Sequence, residues 1–239
     1  MSQAIFKICV LATTIVAHFV TLTPPQPPAG RKDKVYRGQL FERMGVRDAL
    51  ITMTEILLTL AVSSEIIVIS ATTFDVPYST KAYDTLCPRS RQDSRVAGTI
   101  SSTFLLGAAL ALFGAYLRHW TYRVLGELFT YEVTLRPQHK LIRRAPYNFV
   151  RHPSYAGLYM HFAGVAIMHF AEGGWNRECG IMGTPLVFAV LFWVLIVTFS
   201  MASVWRRSIV EDDFLRSKFG TDWLLYRKEV PSKFFPGLI

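Results

Sequence analysis

The chain has 239 residues, of which 51% are hydrophobic and only 18% are charged, and its formal net charge is +9. Soluble domains usually have about 25% charged residues, so this composition argues against an ordinary soluble protein. The basic residues lie between apolar runs rather than in one patch, which argues against nucleic acid as a partner.

Five apolar runs have about the length, roughly 20 residues, that a helix needs to cross the hydrocarbon of a bilayer. The runs cover residues 4–22, 50–72, 97–118, 154–171 and 180–205. We therefore predict an all-α polytopic membrane bundle of about five transmembrane helices. The segments after the first, third and fifth runs are the richest in lysine and arginine, which places the N-terminus outside and the C-terminus in the cytosol.

The first three runs carry few groups that could do chemistry. The first contains Lys7 and is followed by no cleavage pattern, so we interpret it as an anchor, with a stiff proline-rich connector at residues 23–30. In the second run, Glu55 lies near one end and can reach the headgroups, whereas Glu65 is deeper. A deep carboxylate usually faces protein or a watery cavity, and both readings of Glu65 remain open.

The small residues of the third run indicate helix packing, and the cysteines and histidines do not indicate a metal site. The third run has a stripe of small residues that favours close helix packing, namely Gly107, Ala111, Gly114 and Ala115. The cysteines Cys9, Cys87 and Cys179 are isolated, so their spacing indicates neither a zinc site nor a disulfide framework. The histidines within the predicted spans have no carboxylate or cysteine partner at metal spacing, so no bound metal is expected.

Three clusters near the predicted cytosolic boundary could do chemistry. They are His139-Lys140-Leu141-Ile142 with Pro146-Tyr147, Arg151-His152-Pro153-Ser154-Tyr155-Ala156-Gly157, and Arg207-Ser208-Ile209-Val210-Glu211-Asp212-Asp213 followed by Phe219-Gly220. His152 and Tyr155 are three residues apart at a helix start, so they should face the same way. Arg207 and Glu211 are one helical turn apart, and alone they could form an exposed salt bridge of only a few tenths of a kcal/mol. Each histidine alone could be an interfacial hydrogen-bond donor.

The C-terminal region has an aromatic helical pattern. Leu215, Phe219, Trp223 and Tyr226 recur at helical spacing among basic residues, with a possible break at Gly220. This pattern predicts either an amphipathic helical segment on the membrane surface or a helix packed on the bundle. We find no strand followed by Gly-x-Gly-x-x-Gly, which excludes a nucleotide site of the soluble Rossmann type.

In order and spacing, these clusters resemble the isoprenylcysteine carboxyl methyltransferase family over about residues 130–239. Phe219-Gly220 and Val230-Pro231 also match the family pattern. The resemblance implies a cofactor-binding and catalytic region at residues 121–239, with two spans, after three N-terminal spans in residues 1–120. It also implies an enzyme of the endoplasmic reticulum membrane. The family pattern differs at two places, since Glu132 stands where some members have glutamine, and Arg143-Arg144-Ala145 precedes the Pro-Tyr pair.

The same resemblance implies S-adenosyl-L-methionine as the cofactor, in a pocket closed by the loop before the fourth span and a helix after the fifth. The implied cofactor contacts are Glu132, His139, Lys140, Leu141, Ile142, Tyr147, His152, Pro153, Ser154, Tyr155 and Glu211. Arg207 would be the catalytic residue and would bind the substrate carboxylate, because a guanidinium is a forked clamp for a carboxylate.

The implied reaction is methyl transfer to the α-carboxylate of a C-terminal prenylated cysteine, in proteins or small mimics, whose lipid tail would enter from the bilayer. A carboxylate is ionised at neutral pH and needs alignment rather than a general base. One alternative is a membrane methyltransferase acting on a phospholipid amine or another isoprenoid, with Glu65 or Glu132 as the base. Others are a membrane reductase similar to sterol reductases, which share the His-Pro-x-Tyr region, and a non-catalytic membrane protein.

Overall fold

A computed structural model describes residues 1–23, 25–26, 47–74, 79–88, 98–129 and 140–238. All regular elements among these residues are helical, which confirms the predicted all-α class. The long helices are α1 (Ser2–Leu22), α2 (Arg47–Thr73), α4 (Ser102–Leu125), α5 (Pro153–Phe170) and α7 (Val187–Phe219). The short ones are α3 (Ser79–Leu86), α6 (Trp175–Glu178) and α8 (Thr221–Glu229), with 3-10 turns at Gly126–Leu128 and Ile181–Gly183.

Three of the described helices, α1, α2 and α7, are long and apolar enough to cross a membrane. The protein is therefore an integral membrane helix bundle. Helices α4 and α5 form at the third and fourth predicted spans and pack extensively against each other. The count of five membrane-crossing helices stays a prediction, and most of the proline-rich connector lies outside the described residues.

The small-residue stripe of α4 lets its backbone touch the backbone of α5, as the sequence predicts. A Cβ atom on Gly114 would lie 2.5 Å from the carbonyl oxygen of Gly157 and from the amide nitrogen of His161. A Cβ atom on Gly164 would lie 2.5 Å from the carbonyl oxygen of Gly107. Real Cβ atoms essentially never come this close to backbone, so the approach of α4 and α5 requires glycine at these positions.

A buried ion pair joins α1 to α2 within the bundle. The Nζ atom of Lys7 lies 2.9 Å from Oε1 of Glu65, and both side chains are at most 1% exposed. Lys7 also donates a hydrogen bond to the carbonyl oxygen of Gly173 at 2.6 Å. The Nδ1 atom of His169 lies 3.6 Å from Oε2 of Glu65, which brings α5 into the same cluster. Of the two readings left open for Glu65, the structure supports contact with protein rather than a watery cavity.

A disulfide joins Cys87 to Cys179, so the expectation drawn from cysteine spacing is wrong. The two residues are 92 positions apart, and helix packing alone brings their segments together. The Nε1 atom of Trp175 donates to the carbonyl oxygen of Leu86 at 2.8 Å beside the bridge. Local spacing carries no information about such a long-range contact.

Helix α7 extends further than the fifth apolar run. The run ends at residue 205, whereas α7 has 33 residues and ends at Phe219. At a rise of 1.5 Å per residue it is about 50 Å long, compared with a hydrocarbon thickness of about 30 Å. The prediction of a separate helix after the fifth span is therefore wrong for Arg207 and Glu211, which lie on the extension of α7 beyond the predicted span. The predicted break at Gly220 is confirmed, because its φ of +51° ends α7 before α8 begins.

Candidate functional site

The site is built on the turn that starts α5. His152 is the N-cap residue of α5 and Pro153 is the first helical residue, where its missing N–H is not needed. The ring of His152 stacks on that of Tyr155, with centroids 5.5 Å apart and planes 9° from parallel. The prediction that these two side chains face the same way is confirmed, and both face the extension of α7.

Glu211 is the acceptor that the surrounding groups share. Its Oε1 atom accepts hydrogen bonds from the Tyr155 hydroxyl at 2.5 Å and from Arg207 Nε at 2.6 Å. Its Oε2 atom lies 3.5 Å from Nδ1 of His152. The Arg207 and Glu211 side chains are only 14% and 22% exposed, so this pair is not the exposed salt bridge that spacing alone allowed.

Asp212 is a second carboxylate in the site, and the sequence reasoning assigned it no role. Its Oδ1 atom lies 3.0 Å from Nε2 of His152, so the imidazole lies between Asp212 and Glu211. Its Oδ2 atom lies 3.4 Å from Arg151 Nη2 and 3.5 Å from Lys233 Nζ. Consecutive helix residues point about 100° apart, so the sequence carried no sign that both carboxylates reach one histidine.

These contacts shift the pKa values of the three groups, which lie outside the predicted spans. Burial opposes ionisation of Glu211, but the charge of Arg207 and the hydrogen bond from His152 lower its pKa to about 2. Burial also opposes the charged form of His152, yet the hydrogen bonds and charges of Asp212 and Glu211 raise its pKa above the usual value. The pKa of Asp212 is lowered despite burial, through His152, Arg151 and Lys233. Both carboxylates are therefore ionised at neutral pH.

The remaining predicted contacts are only partly brought together. Leu141 packs on the buried cluster of Trp223, Tyr226 and Val230, while Ile142 is half-buried and Lys140 is exposed. This packing supports the second reading of the C-terminal aromatic pattern, a helix packed on the bundle.

Tyr147 is half-buried beside this cluster, and its carbonyl oxygen accepts a hydrogen bond from the Tyr226 hydroxyl at 2.7 Å. Glu132 and His139 lie outside the described residues.

Ser154 points away from the Glu211 carboxylate and towards α4. Its Oγ atom accepts a hydrogen bond from Arg118 Nη1 at 2.9 Å. Arg118 is 3% exposed, and its Nε atom donates to the carbonyl oxygen of Thr21 at 2.6 Å. Arg118 thus ties the end of α1 to the start of α5. Sequence reasoning missed Arg118, and its one signal was a cation at the end of an apolar run.

A family model, described as the isoprenylcysteine carboxyl methyltransferase family, matches residues 107–205. The match begins in the glycine stripe of α4, includes all of α5 and ends within α7. This part of the chain is similar to that family. The matched segment contains His152 and Tyr155, whereas Arg207 and Glu211 follow directly after it. The family predicted from the motifs is therefore confirmed.

Curated relatives agree with the family match. The chain is 27% identical over 128 residues to protein-S-isoprenylcysteine O-methyltransferase B of Arabidopsis thaliana, covering 53% of this chain and 56% of that protein. It is 30% identical over 121 residues to protein-S-isoprenylcysteine O-methyltransferase of Schizosaccharomyces pombe, covering 50% and 44%. The alignments thus span about half the length of these relatives. No solved structure matches the chain significantly.

Proposed function

We propose that this chain is a member of the isoprenylcysteine carboxyl methyltransferase family and that it methylates the α-carboxylate of a C-terminal prenylated cysteine. The observation that carries the proposal is the charged cluster of Arg207, Glu211, Tyr155, His152 and Asp212 at the end of a membrane helix bundle. The family match and the names of the relatives support the same reaction. A site of this kind lets a lipid tail stay in the bilayer while the polar groups react at its boundary.

The donors and acceptors of the site fit S-adenosyl-L-methionine. Its sulfonium and ammonium groups are cations, which ionised Glu211 and the aromatic face of Tyr155 can accommodate. Among the described residues, Arg151 Nε and Trp223 Nε1 are buried without a hydrogen-bond partner, and such donors suit the oxygen and nitrogen acceptors of this molecule. When bound, S-adenosyl-L-methionine supplies an electrophilic methyl group.

The protein's own residues would then bind and orient. Glu211, His152, Pro153 and Tyr155 would hold the cofactor, with His139, Lys140, Leu141, Ile142, Tyr147 and Glu132 from the loop before α5. We propose that Ser154 supports the turn at the start of α5 instead, because its hydroxyl oxygen accepts a hydrogen bond from Arg118. Arg207 would bind the substrate carboxylate, and no base is needed because that carboxylate is already ionised. The packed helices would exclude water from the reacting groups, so that alignment supplies most of the rate.

We propose that the C-terminus faces the cytosol, that the protein resides in the endoplasmic reticulum, and that the division at residue 120 separates anchor from catalytic region. The disulfide supports the orientation. Cys87 and Cys179 lie in the two segments assigned to the non-cytosolic side by the distribution of lysine and arginine. Disulfides persist on that side because the compartment is oxidising.

A phospholipid amine as acceptor is less well supported. That reaction calls for a base to take up the amine proton, and Glu65 was one candidate. Glu65 is instead fully buried in the ion pair with Lys7. The reductase-like alternative lacks support from the relatives, which have methyltransferase names.

Isothermal titration calorimetry with the purified protein in detergent micelles tests the cofactor assignment. Glu211→Gln keeps the shape of the side chain and removes its charge, whereas Asp213→Asn makes the same change at an exposed neighbour. A hydrogen bond to a charged group contributes about 1.5–3 kcal/mol, so Glu211→Gln should weaken S-adenosyl-L-methionine binding by about 10-fold to 100-fold. Asp213→Asn should bind like the wild type. Equal affinity in all three proteins would remove Glu211 from the cofactor site.

A further inference from the structure

The chain passes over the start of α5 in a segment that we call the C-terminal strap, residues 230–234. The amide nitrogen of Arg151 donates to the carbonyl oxygen of Ser232 at 3.0 Å, and that of His152 donates to the carbonyl oxygen of Lys233 at 2.8 Å. Amides at the start of a helix have no intrahelical acceptor. The strap therefore satisfies the two backbone donors that precede Pro153.

Side chains connect the strap to α7 as well. Arg151, which is 7% exposed, donates through Nη1 to the carbonyl oxygens of Val230, at 2.8 Å, and Pro231. Its Nη2 atom reaches Asp212 at 3.4 Å, and Lys233 reaches the same carboxylate oxygen at 3.5 Å. Asp212 thus connects the strap, the turn before α5 and the extension of α7.

Phe234 at the end of the strap is 2% exposed and packs among the rings of the site. Its ring centroid lies 6.0 Å from that of His152 and 6.4 Å from that of Tyr155. It lies 5.5 Å from Tyr159 and 5.3 Å from Trp205. Phe234 therefore supports, from one side, the His152–Tyr155 stack whose polar atoms contact the carboxylates of α7.

We propose that the C-terminal strap is a positioning element of the site. Seated on α5, it holds the turn carrying His152 and Tyr155 against Glu211 and Asp212, and the site is complete only when Phe234 is in place. This inference rests on the proposed function for its catalytic consequence. The strap lies beyond the residues matched by the family model, and the sequence motifs assign Phe234 no role.

The purified protein in micelles tests the proposal with Phe234→Ala, the smaller hydrophobic variant Phe234→Leu and the control Leu238→Ala, whose side chain is 81% exposed in the wild type. Hydrogen exchange followed by mass spectrometry reads the amides of Arg151 and His152, which the strap carbonyls protect. Phe234→Ala should accelerate their exchange. It should also lower kcat by about 100-fold with little change in KM for the acceptor, since a displaced turn misaligns the reacting groups.

Phe234→Leu should stay within about 10-fold of the wild type in kcat, because leucine refills most of the space that alanine would leave empty. Leu238→Ala should match the wild type in both readouts. Unchanged exchange in Phe234→Ala overturns the strap, as does faster exchange with unchanged turnover and cofactor affinity. If the wild type methylates no prenylcysteine, the proposed function fails, and amide exchange and cofactor affinity still decide the role of the strap.

Discussion

The buried ion pair of Lys7 and Glu65 should contribute measurably to the free energy of unfolding. Both residues lie on N-terminal helices outside the family match. Lys7→Met removes the cation that lies 2.9 Å from a carboxylate with 1% exposure. Among the described residues, Glu65 would then keep His169 as its ionisable neighbour, with the Nδ1 atom 3.6 Å away. The methionine fits the space of the lysine stem, so the change is mainly electrostatic.

The size of the effect follows from the burial. Removing one partner of a buried ion pair leaves an uncompensated charge, which typically costs about 3–5 kcal/mol. Replacing both partners with apolar residues is often neutral, because the desolvation penalty of both charges disappears as well. We therefore expect Lys7→Met to lower the free energy of unfolding by about 3 kcal/mol or more. The double variant Lys7→Met with Glu65→Leu should return to within about 1 kcal/mol of the wild type.

Denaturant unfolding in mixed micelles, followed by circular dichroism, measures these differences. Lys81→Met, at an exposed lysine of α3, controls for the loss of a positive charge. If the single and double variants lose the same free energy, the two residues do not compensate each other and the reasoning is refuted. If Glu65→Leu alone abolishes methyl transfer while the protein stays folded, the reading of Glu65 as a structural residue is wrong.

Three further predictions concern packing, pH and redox state. Gly164→Ala should lower the free energy of unfolding by about 2 kcal/mol or more, because its Cβ would meet the backbone of α4, whereas Gly98→Ala, with its nearest neighbour at 3.7 Å, should be tolerated in the same denaturant titration. The pKa of Glu211, about 2, lies below its ordinary value of 4.5, so the ionised side chain stabilises the fold fully above pH 4.5 and this stabilisation is lost as the pH falls to about 2. The melting temperature should therefore fall less steeply across this range in Glu211→Gln than in the wild type. Parallel curves for the two proteins would contradict the shift. Reducing the disulfide between Cys87 and Cys179, which are 92 residues apart, should destabilise the wild type by about 4.6 kcal/mol by the loop-entropy relation. A protein with both cysteines changed to serine should not respond to reductant.

Local patterns predicted the local features of the molecule. Pro153 marks the start of α5, Gly220 marks the end of α7, and the glycine stripe of α4 marks the close backbone contact with α5. Each of these depends on a backbone property of one residue type, which the sequence shows directly. The common direction of the His152 and Tyr155 side chains was predicted from their three-residue spacing, whereas the stacking of their rings was not.

Long-range contacts could not be predicted in this way. The Cys87–Cys179 bridge and the Lys7–Glu65 pair join segments that come together only through tertiary packing. Helix α7 continues past its apolar run because Arg, Glu, Leu and Lys are good helix formers and the backbone bonds do not depend on the bilayer. The apolar pattern ends at residue 205, so the sequence alone did not show that the same helix continues to Asp212. It therefore did not show that Asp212 contacts His152.

Methylation of a prenylcysteine carboxylate by this protein is tested most directly by one measurement. Methyl transfer from labelled S-adenosyl-L-methionine to N-acetyl-farnesylcysteine is followed with the purified protein in detergent. We expect incorporation that disappears with the methyl ester of the acceptor and with Arg207→Gln, but persists with Arg206→Gln at the exposed neighbour. Incorporation into the methyl ester, or none into the free acid by a folded protein that binds the cofactor, would contradict this expectation.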